Sequence, residues 1–173
     1  MSRAARLDLR SFQRELASRL AKKTAAQVES SRLGLAGAGE RWLVRLADAG
    51  EVIAVPPIVS VPLTHPWFLG LANIRGNLVS VIDFPAFLGF PQVAAGGLAR
   101  LILLNLSGGE QNAGIVVDRV LGLRNLADLA PVEASHDAPA WYTQRWTDGD
   151  GNAWQELDLG ALARDARFRQ VGA

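Results

Sequence analysis

The sequence contains no cysteine, only two histidines and no long apolar run. The absence of cysteine excludes disulfides, thiolate metal sites and thiol catalysis. With His65 and His136 as the only histidines, a histidine-rich zinc site is disfavoured as well. No apolar run reaches the roughly 18 residues that a membrane-spanning helix requires. The composition therefore predicts no metal site, no cofactor and no membrane span.

Motifs for phosphate binding and nucleophilic catalysis are also missing. A P-loop needs a lysine after its glycines, and the only lysines are Lys22 and Lys23. The run Gly37-Ala38-Gly39 lacks the third glycine of a dinucleotide-binding loop. No Gly-x-Ser-x-Gly elbow occurs. These absences argue against an enzyme, which we keep as the least favoured of three hypotheses.

One acidic segment resembles the start of a calcium-binding loop. Asp148, Asp150 and Asn152 have the spacing of its first three ligands, but Ala153 and Leu159 stand where the loop needs glycine and glutamate. We therefore expect this segment to be a polar hairpin.

The composition predicts a packed domain with an unusual distribution of charge. Hydrophobic residues make up 49% of the 173 residues and charged residues 20%, which is typical of one globular domain or two small subdomains. Residues 1–23 carry seven basic and two acidic side chains, so this segment has a net charge of +5 and the remainder −4. Because the folded body is acidic, nucleic-acid binding is disfavoured.

The basic N-terminal segment, residues 1–31, has the pattern of a helical extension. Leu9, Phe12, Leu16 and Leu20 form one apolar stripe at helical spacing. Such a helix can dock on the body behind it, bind a partner or lie on a membrane surface. An arginine-rich start also occurs in mitochondrial transit peptides, but a cytoplasmic protein is the favoured interpretation.

From about residue 32 the chain shows many short β-rich runs separated by turn residues. This pattern predicts an all-β barrel or sandwich. Asp83 and Asp158 are positioned to cap two short helices, the second extending to about Arg167. Four prolines make residues 56–67 a stiff connection. The predicted strands are 32–36, 41–46, 51–55, 68–74, 78–82, 100–106, 113–121 and 152–157.

The segment from Trp67 to Gly89 carries the strongest functional signal. It contains two apolar strands, a hairpin at Arg75-Gly76-Asn77 and a capped helical turn. The segment resembles the hallmark of the CheW family of chemotaxis coupling proteins. The matching positions are Gly70, Asn73, Ile74, Arg75, Gly76, Leu78, Val81, Ile82, Asp83, Phe84, Leu88 and Gly89.

Two further blocks extend the resemblance to about residues 32–168. Gly50-Glu51-Val52-Ile53 is similar to a family strand upstream, and residues 113–122 are similar to its Gly-hydrophobic-hydrophobic-Val-Asp-x-Val segment. The basic extension and the sequence Gly-x-Ala-Asn-x-Arg-Gly at residues 70–76 are most similar to adaptors of the type IV pilus chemosensory system, of the PilI kind.

The resemblance implies two packed five-stranded SH3-like barrels within residues 32–173, with short helices and the N-terminal extension. It implies a non-catalytic cytoplasmic adaptor, associated with membrane receptor arrays. Its partners would be the regulatory domain of a CheA-type histidine kinase and the cytoplasmic tip of a methyl-accepting chemoreceptor. The alternatives are a general flagellar chemotaxis adaptor, or a small β-barrel module that binds a ligand or nucleic acid.

The family's receptor-contact residues correspond to Arg75, Gly70 and Glu51. Without the resemblance, Arg75 would be a solvated turn residue, Gly70 the mark of a β-bulge and Glu51 an exposed strand charge. The other motif residues are interpreted first as turn and cap residues; they are Asn73, Gly76, Asp83 and Asp118. The kinase-facing surface is expected on the second barrel, around residues 90–120.

This sequence departs from the family pattern near the expected receptor groove. Ser80 stands where proline is common, so its N–H could restore a hydrogen bond in the strand ladder. Ala49 replaces the usual valine. These changes bear on which receptor is bound more than on the fold.

Overall fold

We describe the fold from a computed structural model, which covers residues 29–94, 96–105, 112–133 and 138–173. The predicted extension lies outside the described residues except for positions 29–31, and so do the predicted turn at 107–109 and His136. Within the described part of the chain, no helix is long and apolar enough to cross a membrane.

Eleven strands make up about half of the described chain. They are β1 Ser31–Gly37, β2 Glu40–Arg45, β3 Ala49–Ala54, β4 Phe68–Ile74, β5 Asn77–Asp83, β6 Arg100–Leu104, β7 Ala113–Val117, β8 Arg119–Asn125, β9 Ala130–Val132, β10 Tyr142–Thr147 and β11 Ala153–Leu157. The short helices are α1 Phe84–Phe87, α2 Leu159–Arg164, α3 Ala166–Arg169 and a 3₁₀ turn at Leu126–Asp128.

The strands form two sheets that are interleaved along the chain. One sheet has six strands in the order β8-β1-β2-β11-β10-β9, and the other has five in the order β3-β6-β7-β5-β4. The chain leaves the first sheet after β2, builds the whole second sheet, and returns at β8. The expected all-β architecture of two small packed barrels is confirmed, with six strands in one of them.

A shared apolar seam joins the two sheets. Strand β7 is buried along its whole length because each of its faces packs against a different core. Val116 packs inside the five-stranded sheet with Val81 and Leu101, whereas Ile115 packs in the seam together with Trp42 from the other sheet. A strand buried on both faces is continuously apolar, which explains the unbroken hydrophobic run in this part of the sequence.

Three secondary-structure predictions need correction. The single strand predicted over 113–121 breaks at Asp118, whose N–H donates to the carbonyl of Ala36 at 2.9 Å as the chain crosses between sheets. The second predicted helix ends at Arg164 because Asp165 leaves helical geometry and caps α3. Strands β9 and β10 were not predicted, since β9 contains a proline and β10 is largely polar.

The six-stranded sheet also buries an ion pair. Arg32 Nε donates to Glu156 Oε1 at 2.7 Å, and Trp146 Nε1 donates to Glu156 Oε2 at 2.9 Å. The two charged side chains are only 10% and 12% exposed, respectively. Because both carboxylate oxygens have donors, the buried charge is compensated.

The polar hairpin predicted at Asp148 is present between β10 and β11. Its carboxylate accepts hydrogen bonds from Trp154 Nε1 at 2.9 Å and from the N–H groups of Asn152 and Asp150 at 2.8 and 3.1 Å. The bond from Trp154, followed by those from Asn152 and Asp150, lowers the pKa of Asp148 to about 2 although partial desolvation opposes the shift. The residue therefore organises its own turn.

We expect Asp148 to contribute to acid unfolding. Its pKa in the folded state lies below the usual value of about 4, so its contribution to stability is present above pH ~4 and is lost as the pH falls towards 2. Urea unfolding should therefore show that Asp148→Asn is less stable than the wild type near neutral pH. This difference in the free energy of unfolding should shrink as the pH falls from ~4 towards 2. Asp150→Asn, which removes another carboxylate from the same turn, is the matched control. If the free energies of unfolding of Asp148→Asn and the wild type differ by the same amount at every pH, the stabilising role of the Asp148 carboxylate is contradicted.

Candidate partner-binding site

The hairpin between β4 and β5 carries the residue expected to contact a receptor. Its turn consists of Arg75 and Gly76, with φ of +53° and +88°, and Ile74 pairs with Asn77 as the last ladder pair. Two central residues with positive φ define the type I′ turn that matches the twist of a hairpin. The predicted three-residue turn is thus one residue shorter, because Asn77 already belongs to β5.

The turn is held by a side chain from the same hairpin. Asn73 Oδ1 accepts a hydrogen bond from the N–H of Gly76 at 2.8 Å. Gly76 adopts its positive φ without steric cost, whereas the left-handed conformation of Arg75 is unfavourable by about 1 to 2 kcal/mol. The fold thus places an arginine at the tip at some cost in backbone energy, and such strain is concentrated at functional sites.

Arg75 forms an ion pair with Glu51 of β3. Arg75 Nη2 lies 2.7 Å from Glu51 Oε1, and the two side chains are 76% and 38% exposed. An exposed pair of this kind contributes only about 0 to 1 kcal/mol, which is less than the backbone cost at Arg75. The pair therefore gives little net stability. It does orient a guanidinium that carries five N–H donors, one of which binds Glu51.

The ion pair lies at the rim of a cavity of 180 Å³. Apart from Asn77 and Asn112, the cavity is lined by apolar side chains, from Ile74, Val79, Leu103, Leu104 and Ala113. A cation and an anion beside a small apolar cavity suit a protein partner that inserts an apolar side chain and forms polar contacts around it.

Gly70 lies apart from this pair, near the start of β4. It has φ of +130°, sits at a bulge in the β4–β5 ladder and is buried. A Cβ at this position would overlap the carbonyl group of Val59 and lie 2.9 Å from Ser60 Cα. Val59 and Leu71 exchange two backbone hydrogen bonds, of 2.8 and 2.9 Å, so the segment around Val59 runs along the edge of β4. The backbone that approaches Gly70 belongs to this chain.

Asp83, the last residue of β5, serves as a structural cap at the other end of this strand. It is buried, and its two carboxylate oxygens accept from the N–H groups of Ala86 and Val93 at 2.9 and 2.8 Å. Burial raises the pKa of Asp83, with a smaller contribution from the charge of Asp118, while the two backbone hydrogen bonds act in the opposite direction. Neither aspartate lines the cavity beside Arg75.

The structure therefore brings together two of the three expected receptor-contact residues. Arg75 and Glu51 are 24 positions apart in the chain, and no local pattern in the sequence indicates that they pair. Ser80 behaves as expected, since its N–H donates to the carbonyl of Asn112 at 2.8 Å and so adds the ladder bond that a proline would lack.

Two interleaved small β-barrels that share one apolar seam define the structural class of this domain. Residues 33–167 match the family model described as the CheW-like domain. The chain belongs to the CheW-like family of chemosensory scaffolds and adaptors.

Individual relatives and one solved structure agree with this assignment. The chain is 27% identical to Protein PilI of Pseudomonas aeruginosa over 128 residues, which cover 70% of this chain and 71% of that protein. It is 31% identical to Protein FrzA of Myxococcus xanthus over 125 residues, covering 70% and 77%. The crystal structure of the scaffolding protein TtCheW from Thermoanaerobacter tengcongensis superposes with a TM-score of 0.66 at 21% identity, covering 80% of this chain and 95% of that one. The last comparison establishes the fold.

Proposed function

We propose that this protein is a non-catalytic adaptor that couples a methyl-accepting chemoreceptor to a CheA-type histidine kinase. Membership of the CheW-like family supports the adaptor function, and the similarity to PilI and FrzA supports a place in a motility pathway such as type IV pilus twitching. The observation that carries the receptor assignment is the Arg75–Glu51 pair, which is exposed, oriented and of little value to stability. The adaptor would act in the cytoplasm, at the receptor array.

In this proposal the three receptor-binding residues have different tasks. Arg75 and Glu51 contact the receptor tip directly, because both are exposed at the rim of the same cavity. The guanidinium uses one donor for Glu51 and offers the others to carbonyl or carboxylate groups of the partner. Gly70 acts indirectly, because its missing side chain lets the segment around Val59 lie against β4.

The kinase-facing surface is proposed on the second, five-stranded barrel, in the segment that precedes β6. Phe90 and Leu98 are 50% and 64% exposed there, within the region expected from the sequence. Exposed large apolar side chains are typical of the core of a protein interface. Two separate and individually weak contacts would let the adaptor bridge both partners, with avidity in the array supplying the overall affinity.

The charge reversal Arg75→Glu tests this function. We expect it to lower affinity for a cytoplasmic receptor fragment about tenfold or more, since it removes a favourable charge and introduces a repulsive one beside Glu51. Binding to the regulatory domain of the kinase should stay unchanged. Titration calorimetry with both partners, taken from the same genome, measures the two effects separately.

Arg45→Glu is the matched control for this experiment. Arg45 is also an exposed arginine in a surface ion pair, with its Nε 2.7 Å from Asp48 Oδ2, but it lies on the six-stranded sheet. Reversal of its charge should leave receptor binding unchanged. Equal receptor binding by Arg75→Glu and Arg45→Glu would remove Arg75 from the site. Absence of wild-type binding to both partners would overturn the coupling function.

A further inference from the structure

The connection between β3 and β4, residues 56–67, is held by two separate backbone pairings. The first consists of the hydrogen bonds between Val59 and Leu71, which keep the beginning of the connection on the edge of β4. The second is an antiparallel bridge between Thr64 and Gly172. Strands β3 and β4 belong to the five-stranded sheet, whereas Gly172 follows β11 of the six-stranded sheet and the helices α2 and α3. The second pairing therefore ties one barrel to the other.

Residues 171–173, which we call the latch, form this bridge through two backbone hydrogen bonds. The N–H of His65 donates to the carbonyl of Val171 at 2.9 Å, and the N–H of Ala173 donates to the carbonyl of Leu63 at 3.0 Å. Val171 is half-buried and packs against the seam, whereas the other two latch residues are exposed. Because so little apolar surface is buried, opening of the latch should need far less free energy than unfolding of either barrel.

The helix before the latch, α3, is anchored much more firmly. Phe168 is buried and packs edge-to-face on Phe87, with ring centroids 5.6 Å apart. Asp165 caps the helix by accepting from the N–H of Arg167 at 2.8 Å, and it also accepts from Trp141 Nε1 at 2.9 Å. These contacts do not involve the latch. The latch can therefore open while α3 stays in place.

The part of the connection that the latch holds contains a strained residue. Leu63 has φ of +58° and is 88% exposed. A left-handed conformation is unfavourable for leucine and persists where neighbouring contacts impose it. Burial does not impose it at this position. The contacts that do are the hydrogen bond from Ala173 and, next to it, the bond from Thr64 Oγ1 to the carbonyl of Val61 at 2.8 Å. The strain at Leu63 thus acts against the latch, so the closed state is only modestly favoured.

The latch also fixes an exposed apolar ridge. Val59, Val61 and Leu63 are 73%, 36% and 88% exposed. Exposed apolar side chains of this size are typical of surfaces that contact other molecules. A ridge that is already ordered binds with a smaller loss of conformational entropy than a free segment does. Opening of the latch would release Val61 and Leu63, while Val59 stays paired with β4.

We propose that residues 171–173 are a detachable latch, which opens while both barrels remain folded and so switches residues 60–66 between a fixed and a free conformation. The latch makes the order of a surface segment of the five-stranded barrel depend on the segment that follows the six-stranded one. This inference does not depend on the proposed receptor coupling. Nothing in the local sequence indicates it, because the paired residues Thr64 and Gly172 lie near opposite ends of the domain.

Amide hydrogen exchange measured by NMR tests the latch. The amide of His65 donates to the latch and reports on its opening, whereas the amide of Leu71 donates to the carbonyl of Val59 and reports on the other pairing. Ala173→Pro removes the N–H that closes the bridge. Exchange of the His65 amide should then be about tenfold faster, which corresponds to the loss of one hydrogen bond. Exchange of the Leu71 amide should stay unchanged.

Two further variants bracket this result. Gly172→Ala is the matched control within the latch, since a Cβ there would meet no atom within 4 Å. Its exchange rate at His65 should stay within about twofold of wild type. Leu63→Asn should act in the opposite direction to Ala173→Pro and slow the exchange about threefold, because asparagine tolerates the left-handed conformation better than leucine.

Three results would overturn the inference. Equal exchange at His65 in Ala173→Pro and Gly172→Ala would show that the latch does not hold the connection. Equal acceleration at His65 and Leu71 would show that the whole connection opens as one unit. A melting temperature of Ala173→Pro more than about 5 °C below that of Gly172→Ala would show that the latch belongs to the cooperative fold. None of these measurements includes a partner, so their failure would leave the proposed function standing.

Discussion

Gly70→Ala is expected to destabilise the protein by about 3 to 5 kcal/mol, through a clash that the rest of the fold cannot relieve. The added methyl group would overlap the carbonyl of Val59, which accepts from the N–H of Leu71 at 2.9 Å, while the N–H of Val59 donates to the carbonyl of Leu71 at 2.8 Å. The obstructing atoms are backbone, so no side chain can rotate away. The left-handed φ of +130° adds strain for any residue with a Cβ.

The variant Gly76→Ala separates the clash from the backbone strain. Gly76 also has a positive φ, of +88°, but a Cβ there would meet no atom within 4 Å. We expect it to cost only about 1 to 2 kcal/mol. Urea unfolding of both variants measures the difference. A cost for Gly70→Ala no larger than that for Gly76→Ala would show that the segment around Val59 moves away freely.

The same comparison distinguishes two explanations for any loss of receptor coupling. In our interpretation Gly70→Ala acts by displacing the segment around Val59, so its loss of receptor binding should accompany a loss of stability. Arg75→Glu should lose receptor binding at nearly unchanged stability, because the Arg75–Glu51 pair is exposed. A stable Gly70→Ala variant with impaired receptor binding would instead indicate direct contact between the glycine and the receptor.

Glu156→Gln is expected to destabilise the six-stranded sheet by about 3 to 5 kcal/mol, because it leaves the buried guanidinium of Arg32 without a counter-charge. Glu156 accepts from Arg32 at 2.7 Å and from Trp146 at 2.9 Å, and both charged side chains are nearly inaccessible. Glutamine can still accept one of these bonds, but it carries no charge. The cost therefore reports mainly the uncompensated cation.

One control variant and one double variant test whether the buried ion pair causes this loss of stability. Glu40→Gln changes an exposed glutamate on β2, which accepts from Gln155 Nε2 at 3.1 Å, and should alter stability by no more than about 0.5 kcal/mol. The double variant Arg32→Met with Glu156→Leu should recover most of the loss, since buried pairs can often be replaced by apolar residues. Equal effects of Glu156→Gln and Glu40→Gln in urea unfolding would show that the buried pair contributes nothing specific.

Local signals in the sequence were sufficient for the hairpin and the caps. Strand β4 was predicted with its observed boundaries, because an apolar run from Phe68 ends at the predicted turn Arg75-Gly76-Asn77, in which Gly76 tolerates a positive φ. Asp83 was predicted as a helix cap, and its carboxylate accepts from the N–H of Ala86 as expected. Turns and caps depend on residues only a few positions apart, so one segment contains the necessary information.

Elements whose neighbours are distant in the chain were predicted less well. The run 113–121 was assigned to one strand because both of its halves are apolar, and only the change of sheet at Asp118 divides it. The polar strand β10 is ordered by its pairing with β9 and β11, which its own composition does not indicate. In both cases tertiary packing decided the structure over local propensity.

By itself, the sequence determined the all-β class, the family and the arginine at the tip of the hairpin, since these depend on local patterns and on ordered motifs. Only the tertiary structure decided what surrounds that arginine. Closure of the five-stranded barrel brings Glu51 to Arg75, and elsewhere in this barrel the segment around Val59 fills the space that Gly70 leaves. These contacts join residues 24 and 11 positions apart, respectively, and their geometry exists only after the chain has packed around its shared seam.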